Sequence, residues 1–258
     1  MDVAENTAVY EFIDGKKLSG NEVEFEHIGQ CAQFLTRLDG LKTKPGAKEF
    51  PLASEARFSV AGIVENVEFR IERLSSVRFH SALNLFLDQD LKPLFQELKR
   101  WSQSKHGEEF FRREIEWSER ILSPSDFGFH NALLRQSSEL VFLDFEYFGW
   151  CDPAKMLSDF ILHPAFSLKK EFCSFFVEKM LFGLKENPGL SKRLEVVYPL
   201  FGIKWCLILL NEFLPDQFQR RAFAFSNPDN VDKIQIEQLE KAKRMFEKIG
   251  NEYEHFPY

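Results

Sequence analysis

The sequence lacks several features that would assign it to a special class of protein. Its 258 residues include only four cysteines, and no pair of them has the spacing of a metal site. Free thiols in an apolar interior are therefore expected, and they favour a reducing, cytoplasmic location. The opening residues, MDVAENTAVY, have neither the basic nor the apolar segment of a signal peptide. The cysteines are Cys31, Cys151, Cys173 and Cys206.

An excess of positive charge is also missing. The net charge is −7, so the chain offers no electrostatic case for binding nucleic acid. The longest apolar stretch, 196–210, is interrupted by Pro199 and Lys204 and is short for a membrane span. It predicts a buried helix, and no membrane partner is expected. The oligomeric state stays open.

Phenylalanine is abundant, with 29 copies, and it recurs at helical spacing. This pattern predicts a large aromatic core and a fold that is mainly α with a small β-hairpin. The hairpin is expected over 132–134 and 140–143, with a turn at 136–138, and a single strand over 8–13. The predicted helices cover 21–38, beginning at an Asn21 N-cap, 54–74, two segments between 81 and 121, then 154–162, 168–184, 190–213 and 229–252.

One polar segment, 121–152, interrupts the helices and contains the chain's candidate chemistry. Asp126 lies in a loop, Asn131 opens the first hairpin strand and Asp144 closes the second, with Glu146 just beyond it. Phosphoryl transfer needs a carboxylate that accepts or orients the proton of the attacking hydroxyl. It also needs Mg²⁺, which prefers a few oxygen ligands such as carboxylate and amide groups. A hairpin brings its two ends together, so Asn131 and Asp144 could hold one ion.

Three segments resemble the aminoglycoside phosphotransferase and choline kinase family, which has a protein-kinase-like fold. SDFGFHNALL resembles the family's catalytic loop, H-G-D-x-x-x-x-N. VFLDFEYFGWCDP is similar to its metal-binding segment, I-D-F/W-E-x-x-G-x-x-D-P, and VYEFIDGKKL to the hinge between its lobes. The resemblance implies ATP and Mg²⁺ as cofactors and a small-molecule hydroxyl acceptor. It implies Asp126 as catalytic base, Asn131, Asp144 and Glu146 as metal ligands, and Glu11, Phe12 and Ile13 beside the adenine.

The resemblance also predicts the domain organisation. Residues 1–15 would be the hinge strand, a remnant of an N-terminal lobe. Residues 16–258 would form a kinase-like helical C-terminal lobe that contains the catalytic segment 121–152. The acceptor would bind between the helices of 21–121 and those that follow Asp152.

Several positions depart from the family pattern. Pro124 and Ser125 replace the His-Gly that precedes the catalytic Asp, so the loop needs another brace, for which His130 is a candidate. Met156 stands where the family often has Asp, and Asp159 lies one helical turn further on. No G-x-G-x-x-G occurs, and Lys16 and Lys17 follow the hinge instead of preceding it. The chain would be either a truncated kinase or a protein that works without that lobe.

Alternative interpretations stay open at this point. A non-catalytic, pseudokinase-like binding module would keep the lobe and lose the chemistry, and a helical scaffold would need no polar loop at all. Glu146 is either a ligand of a second ion or a structural residue. His130 is interpreted by default as loop packing, and His163 as a helix cap or surface residue. Tyr147, Phe148 and Trp150 are either core residues or part of an acceptor pocket.

Overall fold

Helices make up most of the fold. A computed structural model describes residues 11–77, 79–215 and 231–258. The fold is mainly α with small antiparallel sheets, as predicted. The helices are α1 (Phe25–Asp39), α2 (Val60–Ser75), α3 (Ser81–Leu85), α4 (Lys92–Lys105), α5 (Gly107–Arg112), α6 (Pro153–Leu162), α7 (Lys170–Gly183), α8 (Leu190–Leu209) and α9 (Val231–Glu252). A π-helical stretch, Phe86–Leu91, joins α3 to α4, and the 3-10 turn Leu210–Phe213 extends α8.

The first two helices begin later than the periodicity predicts. Asn21 is not the N-cap of α1, because residues Gly20–Glu22 form a separate 3-10 turn that is capped by Ser19. Glu24 then caps α1, in a reciprocal arrangement with the His27 ring. The second helix begins after Ser59, whose hydroxyl accepts a hydrogen bond from the amide of Gly62. Side-chain capping thus determines where α1 and α2 begin, because it provides hydrogen-bond acceptors for the backbone amides of their first turns.

The predicted hairpin is confirmed, and a second strand pair accompanies it. Strands β2 (Ala132–Leu134) and β3 (Leu140–Phe142) pair antiparallel, with Ala132 opposite Phe142. Strands β1 (Ile121–Ser123) and β4 (Gly149–Cys151) also pair antiparallel, which the sequence did not predict. The β1–β4 pair joins the two ends of the polar segment and the hairpin lies in its middle, so together they fix where its loops begin and end.

A close backbone contact holds the 51–54 loop against β4. Trp150 and Pro51 form a backbone hydrogen bond of 2.9 Å, and the amide of Ala53 donates to the carbonyl of Trp150 at 2.9 Å. A Cβ atom on Gly149 would lie 2.3 Å from the carbonyl oxygen of Pro51, so only glycine fits there. This contact brings the start of α2 to the polar segment.

Helix α8 forms the centre of the core. It packs against α2, α4, α6 and α9, and nearly all of its residues are buried, including Pro199. Together with its 3-10 extension, the helix covers residues 190–213, which by length and composition alone could cross a membrane. In the apolar 18-residue window of that segment, 72% is nevertheless buried inside the fold, which confirms the prediction of a core helix. All four cysteines are buried and free, as expected.

The predicted hinge strand is not found where the structure can test it. Residues 8–10 lie outside the described part of the chain, and Glu11, Phe12 and Ile13 are not in a strand. Glu11 and Phe12 are exposed. The chain first pairs at Lys16, which exchanges two backbone hydrogen bonds with Leu134 of β2. The strand prediction is therefore wrong for 11–13, although the segment does run up to the hairpin.

Candidate active site

Asp126 follows β1 and is held by two histidines. Its Oδ1 lies 3.0 Å from Nε2 of His130 and 3.3 Å from Nε2 of His163, at the end of α6. His163 accepts a hydrogen bond from the amide of Ala165 at Nδ1, which leaves the Nε2 hydrogen to donate to Asp126. These contacts, first that of His130 and then that of His163, lower the pKa of Asp126. The carboxylate is therefore ionised over the whole neutral range.

The two histidines and Asp126 are close enough to suggest a metal site, with ligand atoms within 4.8 Å of one another. The ring geometry argues against one. The imidazole rings of His130 and His163 are stacked, with centroids 3.9 Å apart and planes inclined by only 7°. A metal ion lies in the plane of an imidazole ligand, and one ion cannot lie in two parallel planes this far apart. The arrangement instead suits two N–H donors on one carboxylate oxygen.

A second group of contacts braces the loop around Asp126, where the sequence lacks the expected His-Gly. Ser125 has φ of +70°, a strained value for a residue other than glycine. Its hydroxyl donates to the carbonyl of Ser54 at 3.2 Å and accepts from Nζ of the buried Lys155 at 3.3 Å. The loop is thus tied both to the 51–54 segment and to α6. The histidines and this serine together provide the brace.

Asn131 and Asp144 are neighbours across the end of the hairpin. The register of β2 and β3 puts Leu143 opposite Asn131, and the amide of Leu143 donates to the carbonyl of Asn131 at 2.8 Å. The side-chain Nδ2 of Asn131 donates to the backbone carbonyl of Asp126 at 3.0 Å. With its nitrogen committed to this contact, the amide group turns its oxygen away from Asp126. Asn131 thus offers the kind of oxygen ligand that Mg²⁺ prefers.

Asp144 is exposed and has a strained backbone, with φ of +63°. Such conformations cost free energy and are concentrated at functional sites. Glu146, also exposed, accepts from the hydroxyl of Tyr147 and is the largest cause of the raised pKa of that phenol. The charges of Asp144 and Asp126 contribute to the same shift. All three carboxylates therefore lie near Tyr147.

A cavity of about 580 Å³ opens beside Asp126. It lies between the loop before α2, the helices α2, α6 and α8, the 3-10 turn after α8, and α9. The side chains that matter most for its chemistry are charged, amide or aromatic. They are Glu55, Arg70, Asp126, Tyr147, Lys155, Asp159, His163, Lys204, Trp205, Glu212, Gln238 and Lys241.

The buried charges of this cavity neutralise one another within its wall. Nζ of Lys155 lies 2.7 Å from Asp159, whose other oxygen accepts from the indole of Trp205 at 3.0 Å. Burial disfavours the charged amine, yet the neighbouring Asp159 raises the pKa of Lys155. Lys155 therefore stays charged, and its ion pair with Asp159 keeps the charge balanced within the wall.

Glu55 forms the centre of a second paired group. It contacts Lys204 at 2.7 Å and is also paired with Arg70. Burial opposes its ionisation, but these two cations lower the pKa of Glu55 to about 2. Burial also lowers the pKa of Lys204. Three carboxylates of this cavity, those of Glu55, Asp126 and Asp159, are therefore already matched by cations or imidazoles.

The chain is similar to known proteins in its structure, whereas comparisons of its sequence found no match. No family model matches the chain, and no curated protein matches it. Among solved structures, choline kinase from Cryptosporidium parvum aligns over 93% of this chain and 69% of its own, with 13% identity and a TM-score of 0.57. Ethanolamine kinase from Plasmodium vivax aligns over 93% and 65%, with 15% identity and a TM-score of 0.54. A spectinomycin phosphotransferase solved with ADP and spectinomycin aligns over 94% and 70%, with 12% identity and a TM-score of 0.57.

The chain has the fold of these small-molecule kinases. The similarity confirms the kinase-like fold that the sequence predicted, across most of the described chain. This chain spans about two thirds of the length of each of these structures. At such low identity the comparison shows the fold alone, so activity and residue roles depend on the geometry of the site.

Within this kinase-like fold, the predicted residues separate into two sets. Asn131, Asp144 and Glu146 lie at the end of the hairpin, where the side chain of Asn131 donates to the backbone carbonyl of Asp126. Of the four predicted residues, Asp126 lines the cavity. Glu11, Phe12 and Ile13 lie before the bridge that joins Lys16 to β2. The role of these three residues in nucleotide binding stays a prediction.

The residues around Asp126 differ from some of the sequence interpretations. His163 is a helix-end residue, as expected, but its main contact is with Asp126, so the surface interpretation is wrong. His130 contacts Asp126 and is more than loop packing. Trp150 is a core residue, with its indole donating to the carbonyl of Ala47 at 3.0 Å. Tyr147, by contrast, lines the cavity.

The sequence analysis missed the cavity residues Glu55, Arg70, Lys155 and Lys204. They come from a loop and three different helices, and none belongs to a recognisable pattern. The one available signal was local, because Lys155 and Asp159 are spaced for an ion pair on one helical face. Only the tertiary packing brings the others together.

Proposed function

We propose that this protein transfers the γ-phosphoryl group of ATP to a hydroxyl of a small molecule. The single observation that carries the proposal is the position of Asp126. An ionised, doubly braced carboxylate faces an open cavity lined by charged groups, next to two candidate oxygen ligands at the end of a hairpin, in the fold of small-molecule kinases. Buried free thiols throughout the core suit work in the cytoplasm.

Asp126 acts on the acceptor hydroxyl. Its Oδ1 is occupied by His130 and His163, whereas Oδ2 has only a long contact of 3.4 Å with Nδ2 of Asn131, so Oδ2 is the oxygen that accepts the hydrogen bond of the attacking group. Because the histidines lower its pKa, Asp126 is a weak base. Its main contribution is to orient the hydroxyl, and it receives the proton late, as the phosphorus–oxygen bond forms.

Asn131 and Asp144 suit a magnesium ion. One supplies an amide oxygen and the other a carboxylate, and hard oxygen donors of this kind match that ion. Bound Mg²⁺ would neutralise charge on the phosphates during transfer. Glu146, exposed beside Tyr147, is the candidate for a second ion. Glu11, Phe12 and Ile13 remain candidates for contact with the adenine base.

Exchanging Asp126 for Asn tests the catalytic role. The Asp126→Asn variant keeps a similar shape and its contact with His130, so the protein should bind Mg²⁺–ATP as before. Phosphoryl transfer should fall by about 10²-fold or more, because the hydroxyl loses its charged acceptor. The measurement is ADP release with a set of alcohols as acceptors. A binding module without chemistry predicts instead that neither form turns over, and full transfer by the variant would remove Asp126 from this role.

Exchanging Asp144 for Ala tests the metal role. Nucleotide binding in the presence of Mg²⁺, followed by calorimetry, should be lost, while the circular dichroism spectrum stays that of the folded protein. Binding in EDTA provides the reference, since it should be equally weak in both forms. Mg²⁺-dependent binding that survives in the variant would show that Asp144 holds no ion.

A further inference from the structure

A second cavity, of about 350 Å³, continues the first along α9. His163, Pro164, Leu209 and Lys241 border both of them. A molecule whose hydroxyl reaches Asp126 can therefore extend into the second cavity. We call this second cavity the α9 groove.

The α9 groove has an apolar floor. Its aliphatic and aromatic side chains come from the end of α6, from the segment that follows it and from α9. They are Ile161, Leu162, Phe166, Leu168 and Met245. Phe166, Leu168 and Met245 are only half-buried, so their surface is available for an apolar group.

The rim of the groove is positively charged. Lys241, Arg244 and Lys248 line it at spacings of three and four residues, which places them along one side of α9. Among the residues that the structure describes, none that lines the groove is acidic. Within residues 11–77, 79–215 and 231–258, no carboxylate forms an ion pair with these three cations. The whole chain has a net charge of −7, so a groove lined by three cations differs in sign from the protein as a whole.

The first cavity makes a cationic acceptor unfavourable. The half-buried Glu55 and the buried Asp159 are matched by lysine and arginine, and Asp126 is matched by two histidines. Glu212 also has a partner in the fold. An ammonium group entering the cavity would meet Lys155, Lys204 and Lys241. It would find Glu55, Asp126 and Asp159 already paired, and it would lose its hydration.

We propose that the acceptor is an amphipathic alcohol with an anionic group, whose apolar body lies in the α9 groove. Its hydroxyl would face Asp126, and its carboxylate or phosphate would lie against Lys241 and Arg244. This inference rests on the proposed function, because it extends the acceptor site of that reaction. It identifies the acceptor by charge complementarity and by the apolar floor.

Three probe molecules of equal length test this proposal, because they differ only in the charge at the end opposite the hydroxyl. An ω-hydroxy fatty acid, the matching diol and the matching amino alcohol share a hydroxyl and an apolar chain. Binding to the full chain without nucleotide is measured by calorimetry at low salt, below the concentration at which the acid aggregates. The acid should bind at least about tenfold more tightly than the amino alcohol, and its advantage should shrink as salt increases. Equal binding of the three, tighter binding of the amino alcohol, or no binding at all would overturn the proposal.

Charge exchange on α9 localises the effect. Arg244→Gln should weaken binding of the acid about threefold and leave the diol unchanged, and Arg244→Glu should shift the preference toward the amino alcohol. Lys243→Gln is the matched control, because Lys243 lies on the same helix, pairs with Glu240 and is outside the groove. Loss of the acid's advantage in the control as well as in Arg244→Gln would contradict the assignment to the groove. A hydroxy-alkyl phosphate in place of the acid distinguishes the two kinds of anion.

Failure of this inference can be told apart from failure of the proposed function. Selective binding of the acid without Mg²⁺-dependent ADP release would keep the groove and reject the transfer reaction. Transfer to the amino alcohol in preference to the acid would keep the reaction and reject the anionic acceptor.

Discussion

Two aspartates of the same short segment, Asp144 and Asp152, have opposite environments. Asp144 is exposed, and its backbone is strained at φ of +63°. Asp152 is completely buried, and its carboxylate accepts hydrogen bonds from Arg193 at 2.7 Å and from the amide of Ala154 at 2.8 Å. One carboxylate is open to a ligand from outside the protein, and the other joins α6 to α8 inside the core. Proximity in the sequence therefore does not imply a shared role.

The contrast between exposed and paired carboxylates extends across the whole site. Around the hairpin end, Asp144 and Glu146 face solvent. Around the cavity, Glu55 and Asp159 are paired with cations from neighbouring helices. Charges that bind a metal ion must stay accessible, whereas buried charges without partners would destabilise the fold. Mutations should therefore affect stability on the paired side and ligand binding on the exposed side.

Asp152 gives the largest expected effect on stability. Asp152→Ala leaves Arg193 buried without its partner and also removes the N-cap of α6. The free energy of unfolding should fall by about 3–5 kcal/mol, as measured by urea denaturation. Asp144→Asn is the matched control and should change it by less than about 0.5 kcal/mol. A similar loss of unfolding free energy in both variants would mean that Asp144 supports the fold as much as Asp152 does.

Glu55 should show an intermediate effect that depends on pH. Its pKa in the fold, about 2, is below the ordinary value of 4.5, so its ionised form stabilises the fold above pH 4.5. This contribution is lost as the pH falls toward 2, because the carboxylate is then protonated in the folded state as well. Glu55→Gln should cost about 1–2 kcal/mol at neutral pH, after allowance for its partial exposure.

Unfolding curves at a series of pH values test this expectation. The difference between wild type and Glu55→Gln should be constant at neutral pH and should shrink on acidification below pH 4.5. A difference that stays the same down to pH 2 would mean that the ion pairs with Lys204 and Arg70 do not stabilise the protein.

Local patterns in the sequence were enough to predict the hairpin and its polar ends. The apolar runs of β2 and β3 flank a short polar turn, and a hairpin necessarily brings Asn131 next to the residues that precede Asp144. Helix existence was equally accessible, because apolar spacing along α1, α7 and α8 reports a buried face. Helix starts were less accurate, since Ser19 and Glu24 compete as caps within a few residues.

Contacts between distant segments could not be predicted in this way. Strands β1 and β4 have three residues each, too few for a periodic signal, and they pair across the whole polar segment. The contact of His163 with Asp126 depends on where α6 ends relative to β1. The ion pairs of Glu55 likewise depend on the packing of α2 against α8. Tertiary packing determines these contacts, and a single sequence carries no local record of them.

Asp144→Gly should change stability less than Asp152→Ala or Glu55→Gln does. It gives the sharpest test of the contrast between exposed and paired carboxylates. Glycine adopts positive φ without steric cost, so relief of strain should offset its greater freedom in the unfolded chain. The free energy of unfolding should rise by up to about 1 kcal/mol, or a few degrees in Tm, while Mg²⁺-dependent nucleotide binding disappears. A gain in stability together with a loss of binding would mean that the exposed carboxylate is maintained for its ligand at the expense of the fold. If Asp144→Gly were instead as destabilising as Asp152→Ala, the carboxylate of Asp144 would have to support the hairpin itself, and the division between exposed and paired charges would not hold.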